Sequence, residues 1–216
     1  MKKAIIAIKL FFLLSFCLNS LFARPVSYKG GLTVMSYNDY YRNTLLTHYS
    51  PTSKISYGHM IQYWQNKEYW INAFNLNYLV KRINKKHSQA NFYFKGGMGL
   101  LNTSYENYNN KNELVSYAEY ALDWETRRYF TSYAVTFMKS ETVDSTILQK
   151  SRIGFAPYIA GYGQLHTWLM YELHNMPENE HPIISSFILR LFKSTNLLEL
   201  GIDENKNATL NFIKRF

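Results

Sequence analysis

The sequence has few of the residues that staple or interrupt small folds. One cysteine, Cys17, and five prolines occur in 216 residues, so no intrachain disulfide framework and no thiolate zinc site can form. After the first two dozen residues no apolar run approaches the ~18 residues of a membrane-spanning helix, which excludes a helical membrane protein. From Gly30 onward no stretch keeps a 3.6-residue period over three turns, so helices are not expected to build the core. Acids are scarce, 15 against 24 Lys and Arg, yet the bases are dispersed along the chain, and nucleic acid is not an expected partner. Aromatics are plentiful. They make up 17% of the chain, with 19 tyrosines and only 18% charged residues, a composition that excludes a disordered chain and fits one domain.

Met1 to Ala23 has the layout of a secretory signal: a basic start (Lys2, Lys3), an apolar stretch from Ala4 to Leu18 broken by Lys9, and a short tail ending in Ala23. Cleavage is expected after Ala23, which leaves residues 24–216 as the mature domain. The segment takes Cys17 and three bases with it and none of the 15 acids, so the mature chain is cysteine-free and still basic.

The period that does recur is two. Leu114, Ser116, Ala118, Tyr120, Leu122 and Trp124 alternate with Tyr117, Glu119, Ala121, Asp123 and Glu125, and similar runs cover 128–139 and 164–174. Turn-forming clusters such as Pro51-Thr52-Ser53, Asn84-Lys85-Lys86 and Ser194-Thr195-Asn196 separate them. Eleven such breaks predict twelve antiparallel strands, ten being the other count compatible with the weak alternation at 145–157, where Gln149 and Ser151 fall on the apolar face.

A soluble periplasmic β-sandwich also has short alternating strands, but its inner face is apolar and its outer face solvated. Here Lys95, Glu119, Asp123, Arg128, Lys150, Arg152, Glu172 and Arg190 share the polar faces of their strands. Tyr37, Tyr63, Trp64, Tyr69, Trp70, Trp124, Tyr129 and Tyr158 stand near strand ends. That is the pattern of a transmembrane up-and-down barrel with a polar lumen and aromatic girdles. The connections sort by charge: alternate loops carry ten acids and four bases on one side, and ten bases and one acid on the other.

The chain ends on an alternating strand, Ala208 to Phe216, closing with a carboxy-terminal Phe216. It resembles the assembly signal of bacterial outer-membrane β-barrels, with Lys214 standing where such proteins usually have an apolar residue. Asp123-Trp124-Glu125-Thr126-Arg127-Arg128 and Leu165 to Met170 are similar to strings in small Gram-negative outer-membrane proteins. The resemblance implies a location in the cell outer membrane, contact with outer-membrane lipid and lipopolysaccharide, handling by the outer-membrane assembly machinery, and no cofactor.

Three constellations are candidates for function. The lumen charges, together with Glu199 and Arg215, have more bases than acids, so an open pore is expected to prefer small anionic solutes. In strand number and basic lumen this is similar to narrow porins that pass acidic oligosaccharides, while charges paired across the lumen would close it. His166, Met170, Glu172, His174 and Met176 share one strand face and offer imidazole, thioether and carboxylate ligands for copper or zinc, provided neighbouring strands contribute. His48-Tyr49-Ser50 resembles the His-x-Ser pair of outer-membrane lipid hydrolases, although Pro51-Thr52 replaces the Asn-Gly that follows in that family. Catalysis is not the expected function.

Overall fold

The computed structural model describes residues 28–103, 110–161, 163–179 and 182–216. The expected targeting segment, residues 1–23, lies outside them. Twelve strands follow one another: β1 (Gly31–Asn38), β2 (Arg42–Ser50), β3 (Ile55–Trp64), β4 (Tyr69–Asn84), β5 (Ser88–Thr103), β6 (Asn112–Thr126), β7 (Tyr129–Ser140), β8 (Ser145–Phe155), β9 (His166–Asn175), β10 (Ile183–Lys193), β11 (Asn196–Asp203) and β12 (Ala208–Arg215). Each pairs antiparallel with its sequence neighbours, and β1 pairs with β12 from Thr33↔Arg215 to Asn38↔Leu210, so the sheet closes on itself and has no edge. The fold is the expected twelve-stranded up-and-down barrel.

Alternation decides which side chains face out. On β6, Leu114, Tyr120, Leu122 and Trp124 are exposed outward, and on β4 the same holds for Trp70, Phe74, Leu76 and Tyr78. Aromatic rings pair across strands on this exterior: Tyr63 with Trp70 at 4.6 Å, Tyr129 with Phe155 at 5.8 Å, Tyr171 with Phe187 at 5.2 Å. Covering so much apolar surface is the task of a partner or a lipid phase, since soluble monomers rarely leave it open to water. Gln149 and Ser151 do face outward on β8, as the weak alternation there implies, and the Tyr133 hydroxyl donates to Gln149 Oε1 at 3.2 Å.

The interior departs from the sequence reading. Trp64 and Tyr69, expected in an outer girdle, point inward and are buried with Met60, Ile71, Leu101, Val115, Met138, Val143, Leu148 and Met176. Tyr37 also faces the lumen. An apolar core therefore fills the inside of β3 to β8 near the rim farthest from the termini, hereafter the far rim; the opposite one is the terminal rim. Close packing explains two glycines of β5. A Cβ on Gly99 would run into the backbone of Asn72 and Ala73, and one on Gly97 would meet the Phe74 carbonyl and the Tyr117 ring. β4 and β5 are 16 residues each and turn within residues 85–87, at the expected Asn84-Lys85-Lys86 break; a bulge between Leu79 and Lys81 lets the extra length twist away.

Candidate functional site: a charged lumen

The charged groups gather on the wall opposite the apolar core. Arg152 of β8, 8% exposed, donates through Nε to Glu172 Oε2 of β9 at 2.6 Å and through Nη1 to Glu199 Oε1 of β11 at 2.8 Å. Arg190 of β10 donates Nε to the same Glu199 oxygen at 2.7 Å, and Asn211 of β12 donates to its other oxygen at 2.9 Å. Lys150 and His174 stand 3.5 Å and 2.8 Å from Glu172 Oε1. Register makes this possible. Arg152↔Glu172 and Arg190↔Glu199 are directly opposed pairs, so each cation projects from the strand beside its carboxylate. Five strands are thereby tied through two carboxylates, each satisfied on both oxygens, as buried charge requires.

A second pair lies across the lumen, where Lys95 of β5 reaches Glu119 Oε1 of β6 at 2.6 Å and Thr136 donates to Oε2 at 3.1 Å. Between the walls runs a cavity of about 400 Å³ with lining residues from all twelve strands, from Asp39 at the far rim to Glu125 and Arg215 near the terminal rim. Its charged lining is balanced: Arg42, Lys95, Lys150, Arg152, Arg190 and Arg215 face Asp39, Glu119, Asp123, Glu125, Glu172 and Glu199.

Seven of the eight expected lumen charges line this cavity. Arg128 does not. It sits in the β6–β7 turn, donates Nη2 to Pro157 O at 3.1 Å and lies 5.1 Å from the Phe155 ring, because a two-residue turn leaves no room for it to continue the strand alternation. Asp123 is held by Asn91 Nδ2 at 2.6 Å. Arg42, Asp39 and Asn211 were not singled out from the sequence. Arg42 and Asp39 flank a turn, where period-two reasoning gives no facing, and Asn211 lies on a strand whose neighbours carry the recognisable charges.

The β9 stripe does face inward, but its members serve different neighbours. His166 packs beside the Phe192 ring at 6.0 Å, Met170 fills the space over Gly154, and His174 meets Glu172. Among the described residues no group of three His, Cys, Asp or Glu side chains is placed to hold a metal. His48 and Ser50 are both buried on the inner face of β2, yet neither ring nitrogen of His48 has a hydrogen-bond partner, so the two do not form a nucleophile and base pair. Phe216 is exposed and its N–H donates to Leu32 O at 2.8 Å, which fastens the chain end to β1.

A closed antiparallel meander with an apolar, aromatic-banded exterior and a charged interior is a membrane-spanning barrel of the outer-membrane type. No protein-family model and no curated protein sequence matches the chain. Among solved structures the barrel resembles the KdgM porin in complex with disordered oligogalacturonate, at 10% sequence identity with a TM-score of 0.50, covering 86% of this chain and 98% of that one. The KdgM porin alone aligns at 9% identity and a TM-score of 0.49 over the same shares. The likeness is one of fold.

Proposed function

We propose that this barrel is a narrow passive channel of the outer membrane, with a weak preference for small anions. The observation that carries the reading is the cavity of about 400 Å³, bounded by all twelve strands and reaching toward both rims. A purely structural barrel has no need of a polar passage, and interiors without one are filled by side chains. The preference is weak because six lining bases meet six lining acids, and nearly all are paired. What remains is the field of the basic terminal rim, which attracts anions to that mouth. A small anion suits this lumen better than an acidic sugar chain of the kind held by the KdgM porin, since Glu119, Glu172 and Glu199 would lie along the path of such a chain.

Reversal potentials across a planar bilayer under a salt gradient test the proposal. The wild type is expected to show a small anion preference, and Arg190→Glu, which places a third carboxylate beside Glu199, is expected to invert it. A potential that is the same in both proteins would remove the charged wall from the conduction path.

A further inference from the structure

The rims carry charge that faces outward as well as toward the mouths of the lumen. At the terminal rim Lys54, Lys85, Lys86, Arg127, Arg128 and Lys193 occupy the turns β2–β3, β4–β5, β6–β7 and β10–β11 or the residue flanking them. The acid beside them, Glu125, belongs to the cavity lining. These bases stand around the perimeter of the barrel, just outside a band of outward aromatics that includes Tyr57, Tyr129 and Phe155. Arg128 joins the two layers, its guanidinium 5.1 Å from the exposed Phe155 ring. The β4–β5 hairpin extends the same layering. β3 begins at Ile55, opposite Tyr78, so β4 protrudes past it, presenting exposed Val80 and Ile83 beside exposed Lys81.

We propose that the terminal rim is a docking belt for anionic phospholipid headgroups of the adjoining leaflet. The distribution selects the partner. A soluble protein would engage one side of the barrel, whereas bases at four of the five connections on this rim, all but β8–β9, directly beyond an apolar and aromatic band, match a ligand that surrounds the barrel in a plane. Each base near an anionic membrane surface strengthens association by about fivefold. The belt thereby fixes the barrel's depth and its direction, because the far rim carries acids such as Glu68, Glu141 and Glu178 that gain nothing from such a leaflet.

The test uses the full mature protein in phosphatidylcholine vesicles containing spin-labelled phosphatidylglycerol or spin-labelled phosphatidylcholine, with the motionally restricted fraction read by electron spin resonance. Phosphatidylglycerol is expected to be retained about fivefold over phosphatidylcholine, near parity returning in 1 M salt and in a Lys54→Gln, Lys85→Gln, Lys86→Gln, Lys193→Gln variant. Glu68→Gln with Glu141→Gln is expected to leave the ratio unchanged. Equal retention of the two lipids by the wild type, or a preference indifferent to salt, would overturn the proposal even if the quadruple variant failed to fold. The readout needs no conductance, so a silent channel would not affect it.

Discussion

Replacing Arg152 by methionine keeps most of the side chain's length and removes the charge that joins two buried carboxylates. Breaking a buried pair by deleting one partner costs about 3–5 kcal/mol, chiefly because the remaining charge is left uncompensated. Here the low end applies. Glu172 keeps Lys150 at 3.5 Å and His174 at 2.8 Å, and Glu199 keeps Arg190 at 2.7 Å and Asn211 at 2.9 Å. A loss of about 3 kcal/mol is therefore expected, roughly two decades in the folding equilibrium at 1.4 kcal/mol per decade. Urea unfolding in detergent, followed by tryptophan fluorescence and by heat-modifiable electrophoretic migration, measures it. If desolvated carboxylates are the cause, adding Glu172→Gln and Glu199→Gln to Arg152→Met recovers most of the loss. The single variant also leaves the lining one base short of balance, so its current should shift toward cations. A stability change within about 0.5 kcal/mol, the range of a surface substitution, together with an unchanged reversal potential, would refute both the network and its place on the conduction path.

Three further outcomes are expected. Gly99→Val places a branched side chain against the backbone of Asn72 and Ala73, where nothing flexible can yield, and should cost more than about 3 kcal/mol, seen as loss of the heat-modifiable band; normal folding would contradict the packing of β4 on β5. At the far rim, Glu113 Oε2 accepts from the Thr142 and Val143 N–H groups at 2.8 Å and 3.1 Å, and the Thr142 hydroxyl donates to Oε1. These bonds tie the β7–β8 loop to β6, so amide exchange at residues 141–144 should accelerate in a Glu113→Ala variant, and unchanged protection there would remove the tie. Single cysteines at Thr142 and Lys86 should be labelled from outside the cell and from the periplasm respectively, and the reverse accessibility would invert the orientation.

The strand count and the closure were legible because a membrane barrel repeats one rule twelve times: apolar out, polar in, then a turn. The inward placement of Lys95, Glu119, Lys150, Arg152, Glu172 and Arg190 follows from the same rule. It failed where facing is set by something other than alternation. Arg128 lies in a turn too tight to extend the strand. Trp64 and Tyr69 share their strands' inner faces with Met60, Gln62, Ile71 and Ala73, and strand-end aromatics look alike in sequence whether they meet lipid or fill the barrel. The apolar core of the lumen was likewise hidden, since Ile71, Leu101 and Val115 read as ordinary members of apolar stretches. The pairing of the charges was beyond the sequence altogether. It depends on register between strands as distant in the chain as Arg152 and Glu199, which local periodicity does not encode.

The most direct test of the channel is a single-channel recording of the purified, heat-modifiable protein in a planar bilayer. Small, steady openings are expected, with conductance well below that of wide porins and an increase when Arg152 is replaced by methionine. A folded barrel that stays silent in both forms would contradict the account, showing that the charged wall and the apolar core together seal the lumen.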